Sequence, residues 1–303
     1  MSHLDAGAVA SPRVSLIVPV FDKSAHLAEC LESLLDQSLA DIEIICIDDA
    51  STDTSLEILE AYAASDSRIR LIRNDSNAGA ARSRNAGLDL ATGAYLRFVD
   101  ADDIVPQDST KTLYDRAILT AADLVRGSIA LFRGERSSLV STARVGDRWT
   151  TTFATSPDLW IPWWHTTYLI SAGLLREHGI RYPDLRRGED PVFIASVLAA
   201  ARTISTIPDI VYLYRKYSKT TGSAATGFDE VEDTLRHARI IKSLYLARHA
   251  AAWHEGYGPY LLEDFVEFIG RCELSDDQRQ RVSLSVDEIW PGNSSALWPD
   301  PGD

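Results

Sequence analysis

The chain has 303 residues, of which 45% are hydrophobic and 24% charged, and this composition is typical of a globular protein with a full core. The formal net charge of −14 argues against a nucleic-acid partner, because phosphate backbones bind to basic faces. It also disfavours tight docking on an anionic membrane through charge alone. A nucleotide still fits this charge, provided that a cation and local basic groups neutralise its phosphates.

The cysteines and the N-terminus favour a cytoplasmic protein. Cys30, Cys46 and Cys272 lack a metal-binding spacing, and a sparse, odd set is typical of a reducing compartment. Residues 1–12 lack the basic start and the long apolar run of a signal peptide, so we interpret them as a flexible extension. No apolar run reaches the length of a transmembrane helix. Peripheral contact with the inner membrane face stays open.

Taken in chain order, the hydrophobic pattern predicts alternating strands and helices. Strands are predicted at 14–18 (stopped by Pro19), 42–47, 69–72, 95–99, 124–132 and 207–214. Helices are predicted around 27–35 and 56–62, and at 80–90, 110–120, 189–201, 231–252, 257–272 and 275–286, with a loop or hairpin at 134–148. Alternation of this kind predicts an α/β fold with a doubly wound, mostly parallel sheet and right-handed crossovers.

Three carboxylates, Asp100, Asp102 and Asp103, follow directly after the apolar run 95–99. Acids this close together repel one another at the end of a buried strand unless a cation lies among them. Oxygen ligands favour a hard divalent ion, so we expect Mn²⁺ or Mg²⁺ here. An acidic turn that caps the next helix is the alternative. Segments 19–22 and 48–53 also end strands, and a parallel sheet would place all three segments along one edge.

Four segments in this order resemble the family 2 glycosyltransferases, which bind nucleotide-sugars with the GT-A fold: VSLIVPVFD from Val14, IDDASTD from Ile47, NAGAARSRNAGL from Asn77 and ATGAYLRFVDADD from Ala91. They cover most of residues 13–105. The resemblance implies a GT-A domain at 13–225, divided into a nucleotide-binding half (13–105) and an acceptor half (106–225). A helical C-terminal extension would follow at 226–303.

The resemblance also implies roles in donor binding. Pro19, Val20 and Phe21 would line the base pocket, while Asp49 would accept a hydrogen bond from the base and Asp48 would order the same loop. A carboxylate that accepts the imide N–H of uracil distinguishes uracil from cytosine, which favours a UDP-sugar, although dTDP shares this donor.

The remaining donor residues lie in the later segments. Asp100, Ala101 and Asp102 match the family's Asp-X-Asp motif, in which Asp102 would bind the metal and Asp100 the ribose, or the metal through water. Arg84 would reach the nucleotide or its phosphates, or else be a surface helix arginine. Asn77 would contact the donor or serve as a turn residue.

Glu189 and Asp190 open a predicted helix and resemble the family's Glu-Asp block, in which the aspartate is the catalytic base. An inverting transfer needs one group that takes the proton from the attacking hydroxyl. We therefore predict Asp190 as the general base and Glu189 as its orienter or as an acceptor contact. A pair of acids that stabilises the first turn of a helix is the alternative.

Two further segments carry candidate site residues. Trp163, Trp164 and His165 belong to an aromatic cluster that we predict to bind the acceptor, with His165 as a hydrogen-bonded positioning group. Arg215 and Lys216 open a basic loop and would supply charge to the phosphates, or else be exposed residues. Relatives often place a metal-binding histidine in this loop. Residues 215–223 contain none, so the third ligand and strict metal dependence stay open.

We therefore predict an inverting, metal-assisted glycosyltransferase that uses a UDP-sugar and an acceptor hydroxyl on a glycan, a lipid-linked glycan, a protein or a small molecule. A sugar nucleotidyltransferase is the first alternative, although it would need a glycine-rich basic loop after the first strand. A nucleotide-sugar-binding module without catalysis is the second. The C-terminal extension would cover the acceptor site, form a homodimer or dock a partner.

Overall fold

The computed structural model describes residues 12–134, 138–162, 164–217 and 227–298. Its first half alternates strands and helices: β1 (Val14–Val20), α1 (Ser24–Leu35), β2 (Ile42–Asp48), α2 (Ser55–Ser65), β3 (Ile69–Arg73), α3 (Ala80–Leu90) and β4 (Tyr95–Phe98). The four strands pair in parallel in the order β3-β2-β1-β4. Every residue of β2 is buried, as its apolar sequence predicts for a strand covered on both faces.

The second half completes the sheet and adds the remaining helices. Its elements are α4 (Ser109–Thr120), β5 (Leu124–Phe132), β6 (Leu139–Ala143), β7 (Arg148–Thr151), β8 (Tyr168–Ser171), α5 (Ala172–His178), α6 (Glu189–Ala200), β9 (Ile204–Arg215), α7 (Phe228–Arg248), α8 (Gly258–Ile269) and α9 (Asp276–Ile289). Within the described ranges, the sheet has nine strands, in the order β3-β2-β1-β4-β8-β5-β9-β7, and β6 pairs with β5. The fold is a mostly parallel sheet flanked by helices, as predicted.

Two details differ from the prediction. The first strand continues through Pro19 to Val20, because Pro19 lies near the carboxyl end of the strand, where a missing N–H interrupts little of the ladder. Strict alternation of strand and helix also fails. The short strand β8 is inserted antiparallel between β4 and β5, and β6 and β7 form antiparallel edges.

The C-terminal helices α7–α9 share an apolar core with the sheet and with α6. Tyr245 on α7 is fully buried, and its ring lies 4.9 Å from that of Phe153. A π-helical turn, Ala252–Tyr257, joins α7 to α8. The division into domains at residues 12/13, 105/106 and 225/226 stays a prediction. In the parts of the chain that are described, no helix is both long and apolar enough to cross a membrane.

Candidate active site

A cleft of about 570 Å³ lies at the carboxyl ends of β1, β2 and β4. The sheet brings together there the predicted residues Pro19, Val20, Phe21, Asp49, Asn77, Arg84, Asp100, Ala101, Asp102 and Arg215. We call it the donor cleft. Asp48 is buried below this edge with 2% of its surface exposed, and it is not among the residues that line the cleft. Lys216 does not line it either; its backbone N–H donates to the Phe132 carbonyl.

Asp49 holds the loop that precedes α3. Its Oδ1 accepts hydrogen bonds from Asn74 Nδ2 at 2.6 Å and from the Ala78 N–H at 2.9 Å, and its Oδ2 accepts one from the Gly79 N–H at 2.8 Å. Burial alone would raise the pKa of Asp49, but these bonds lower it below its ordinary value. Both carboxylate oxygens are thus engaged with the protein, and the contact with the base stays a prediction.

Asp102 faces a lysine that the sequence analysis did not select. Lys23 Nζ lies 2.6 Å from Asp102 Oδ2, and the Tyr217 hydroxyl donates to the same oxygen at 2.8 Å. Burial would raise the pKa of Asp102, but Lys23 and Tyr217 lower it, so the carboxylate is ionised. Lys23 follows β1 within a few residues, and this position at the end of a strand was the signal that could have identified it.

Arg215 lines the donor cleft and also contacts several protein groups, and its contact with phosphate stays a prediction. Its guanidinium donates to the Asp102 carbonyl at 2.8 Å, to the Gly134 carbonyl at 3.2 Å and to the Glu29 carboxylate. Its backbone N–H donates to Asp103 Oδ1 at 2.7 Å. These bonds hold the end of β9 against the acidic turn, where the Arg215 side chain is buried.

A second cleft of about 410 Å³ adjoins the donor cleft, and the two share Asp100 and Tyr214. Of the predicted residues, Trp164, His165, Glu189 and Asp190 line this second cleft. Trp163 lies outside the described residues. Asp102 and Asp190 therefore face different clefts, which meet at Asp100.

Arg84 joins the two acidic clusters. Its Nη2 lies 3.0 Å from Asp100 Oδ1, and its Nη1 lies 3.0 Å from Asp190 Oδ1 and 3.5 Å from Glu189 Oε1. The alternative of a surface helix arginine is wrong, because only 5% of Arg84 is exposed. The acidic neighbours hold the pKa of its guanidinium above the ordinary value although burial opposes this.

His165 also contacts both clusters. Its Nδ1 lies 2.8 Å from Asp190 Oδ2, and its Nε2 lies 3.9 Å from Asp100 Oδ1. Burial would raise the pKa of Asp190, but Arg84 and His165 lower it to about 2. Burial and the charge of Asp190 raise the pKa of the adjacent Glu189. The environment thus separates two neighbouring carboxylates into a strong and a weaker acid.

The donor cleft suits a metal that is shared with a substrate. Among the described residues, no group of three His, Cys, Asp or Glu side chains converges on one position. Asp100 and Asp102 nevertheless both line the cleft, and the bonds from Lys23 and Tyr217 end on one oxygen of Asp102. Mg²⁺ and Mn²⁺ are often held by one or two carboxylates together with substrate phosphates and water. The residues therefore fit such an ion.

Comparison with solved structures identifies the fold, and a family model identifies the class of protein. The structure is similar to crystal structures of S. aureus TarS 1–349 in complex with UDP (TM-score 0.72) and with UDP-GlcNAc (TM-score 0.70). Each alignment covers 94% of this chain and 83% of TarS 1–349, with 21% sequence identity. The architecture is the GT-A fold. The model of the family described as "Glycosyl transferase family 2" matches residues 15–178, and the chain belongs to this family of glycosyltransferases.

Sequence relatives that are named as glycosyltransferases match this chain over different lengths. The uncharacterized glycosyltransferase EpsJ of Bacillus subtilis (strain 168) is 32% identical over 277 residues, which are 87% of this chain and 76% of EpsJ. Glycosyltransferase GlyG of Streptococcus pneumoniae serotype 4 is 40% identical over 118 residues, 39% of each protein. The poly(ribitol-phosphate) beta-glucosyltransferase of Bacillus spizizenii is 29% identical over 67% of this chain. That alignment spans 32% of the relative.

Proposed function

We propose that this chain transfers a sugar from a UDP-sugar to an acceptor hydroxyl, with inversion at the anomeric carbon. One observation carries the proposal: two clefts meet at Asp100, and Arg84 and His165 connect Asp100 to Asp190 in the second cleft. A reacting carbon at this junction would have the leaving diphosphate on one side and a base on the other. The UDP and UDP-GlcNAc complexes of the structurally similar TarS support the choice of donor.

In this proposal the donor cleft binds the nucleotide. Pro19, Val20 and Phe21 form the wall for the base, as their place in the lining supports. Lys23 and Asp102 lie where the diphosphate would be bound. Asp100 and Asp102 would hold Mn²⁺ or Mg²⁺, which supplies positive charge that stabilises the leaving diphosphate. Lys23 adds a fixed positive charge beside the same group.

Asp190 is the proposed general base. Its low pKa keeps it ionised at neutral pH, so that it is ready to accept the proton of the acceptor hydroxyl. A donor diphosphate beside Asp100 would add negative charge near Arg84 and raise the proton affinity of Asp190. His165 Nδ1 holds the carboxylate in place through Oδ2. The proposed role of Glu189 is to orient Asp190 and to contact the acceptor.

The test compares Asp190→Asn with Asp184→Asn, an exposed carboxylate that pairs with Arg82 on the surface. We expect Asp190→Asn to lower the release of UDP from UDP-glucose, UDP-galactose or UDP-GlcNAc by about 10²–10⁴-fold, because the group that accepts the proton is lost. UDP affinity, measured by titration calorimetry, should change by less than about threefold, since Asp190 lies outside the donor cleft. Asp184→Asn should behave as the wild type.

Four results would contradict the proposal. Wild-type turnover of Asp190→Asn would show that the base is another residue. Release of pyrophosphate from UTP and a sugar 1-phosphate, without release of UDP from any UDP-sugar, would favour the sugar nucleotidyltransferase. Tight UDP-sugar binding without any release of UDP would favour the non-catalytic module. Product NMR tests the stereochemistry, and retention at the anomeric carbon would exclude inversion.

A further inference from the structure

The second cleft has a wall that is built by the C-terminal helices. The π-helical turn and α8 contribute Tyr257, Tyr260, Leu261 and Asp264, and α7 contributes His237. We propose that this cleft binds an uncharged sugar as the acceptor, with Tyr260 as the stacking surface and Asp264 as an acceptor of its hydroxyl hydrogens. This inference rests on the proposed function, because it names the substrate class of the site that contains Asp190.

The aromatic wall is fixed by contacts behind it. The rings of Tyr257 and Tyr260 stack with their centroids 6.0 Å apart and their planes 30° apart. Tyr257 is buried, and its hydroxyl lies 3.1 Å from His237 Nε2 on α7. Tyr260 is therefore held on a rigid support. A flat aromatic face of this kind packs against the apolar face of a sugar ring, and it loses little conformational entropy when it does so.

The packing of α7 also positions Asp190, the proposed general base. Gly188 precedes Glu189 with φ +86°, and a Cβ at Gly188 would lie 2.2 Å from His237 Nδ1. The imidazole of His237 thus packs directly against the turn that begins α6. Because α7 contacts both this turn and Tyr257, the aromatic wall and Asp190 are parts of one packed unit.

The charges of the cleft select the class of acceptor. Four carboxylates line it, from Asp100, Glu189, Asp190 and Asp264. Arg187 is the arginine of this lining, and its guanidinium lies 4.2 Å from the Phe268 ring and 4.0 Å from Asp264.

Burial, together with the charge of Arg187, lowers the pKa of His237 to about 4, so His237 is neutral at pH 7. Four carboxylates outnumber the two guanidinium groups that contact them, those of Arg84 and Arg187, so the lining has an excess of negative charge, which repels phosphate and carboxylate groups. Ionised carboxylates only accept hydrogen bonds, so a matching ligand must donate several of them, as the hydroxyl groups of a sugar do.

The experiment measures UDP release by the full chain with the UDP-sugar that it hydrolyses fastest in water. The acceptor probes are methyl glycosides and β-linked disaccharides of glucose, galactose, mannose and N-acetylglucosamine, each compared with its 6-phosphate. We expect at least one uncharged glycoside to stimulate UDP release. Its 6-phosphate should have a kcat/KM at least about tenfold lower, because of repulsion by the acidic lining.

Variants test the wall itself. Tyr260→Ala should raise the acceptor KM by roughly 5- to 20-fold through loss of stacking, while Tyr260→Phe should stay within about twofold of the wild type. Tyr62→Ala, which removes a partly buried tyrosine on α2 outside both clefts, is the matched control and should leave the KM unchanged. Asp264→Asn should improve the use of the 6-phosphates severalfold. Circular dichroism and melting temperature check that each variant is folded.

Three results would overturn the inference. They are a preference of the enzyme for the 6-phosphates, an unchanged acceptor KM in Tyr260→Ala, and no stimulation of UDP release by any uncharged glycoside. These outcomes are separate from failure of the proposed function. If the wild type releases UDP in water and only the acceptor results fail, the acceptor assignment is wrong. If the wild type releases no UDP from any UDP-sugar, the proposed transfer itself is wrong.

Discussion

Replacing Arg84 with methionine removes the guanidinium that joins Asp100 on β4 to Glu189 and Asp190 on α6. Methionine keeps much of the volume of the side chain, so the loss is mainly electrostatic. Removing one partner of a buried ion pair costs about 3–5 kcal/mol of the free energy of unfolding. Part of this cost falls on Asp190, because Arg84 and His165 together hold its pKa below the ordinary value.

The effect depends on pH with a defined sign. In the wild type, the folded-state pKa of Asp190 is lowered, so the stability that it contributes is complete above about pH 4 and is lost as the pH falls towards 2. Without Arg84, burial raises the pKa values of the adjacent carboxylates above their ordinary values. The folded variant then binds protons that the unfolded chain does not bind, and its deficit in stability narrows as the pH falls from 7 to 4.

The assay is urea denaturation of the wild type and both variants at pH 7 and pH 4.5. The control is Arg82→Met on the same helix, because its ion pair with Asp184 is exposed by 62% and 71%. This control should leave the free energy of unfolding close to that of the wild type at both pH values, because solvent screens an exposed ion pair. If Arg84→Met costs as little as Arg82→Met at pH 7, or if its cost is the same at both pH values, the reasoning about a buried charged hub is wrong.

Two further predictions concern Gly188 and Lys23. Gly188→Ala should lower the free energy of unfolding by at least about 2 kcal/mol in urea denaturation, because φ is +86° and a Cβ would lie 2.2 Å from His237 Nδ1. The control is Gly146→Ala, which should be neutral because a Cβ at Gly146 would meet open space. Equal effects of the two substitutions on stability would contradict the packing described. Lys23→Met should tighten Mn²⁺ binding to the UDP complex by about 3- to 10-fold in calorimetry, because Lys23 Nζ lies 2.6 Å from Asp102 Oδ2 and competes with the cation for this carboxylate. Unchanged or weaker Mn²⁺ binding would argue against competition between Lys23 and Mn²⁺.

Local patterns predicted the frame of the site. β2 is an apolar run buried on both faces, β1 ends in residues that line the donor cleft, and Asp100, two positions after β4, lines it as well. These features depend on neighbours in sequence, so periodicity was sufficient to find them. Strand β8 was missed, because four residues give little periodic signal and their pairing depends on β4 and β5, which lie far away in sequence.

Contacts between distant segments were beyond the reach of the sequence pattern. Arg84 is buried among partners that lie 16 to 106 residues away in the sequence. The residues next to Arg84 on its short helix give no indication of these partners. Lys23 and Asp102 are 79 residues apart, and Tyr260 reaches the second cleft only because α8 packs beside α7. The proposed roles of Arg84, Lys23 and Tyr260 therefore follow from charge and packing in three dimensions.

A crystal structure of the chain with an intact UDP-sugar and Mn²⁺ tests the central claim most directly. The account predicts uracil against Pro19, Val20 and Phe21, the diphosphate between Lys23 and Asp102, and the anomeric carbon at the junction of the clefts with its free face towards Asp190. A UDP-sugar bound outside the donor cleft, or one whose anomeric carbon faces away from Asp190, would contradict the account.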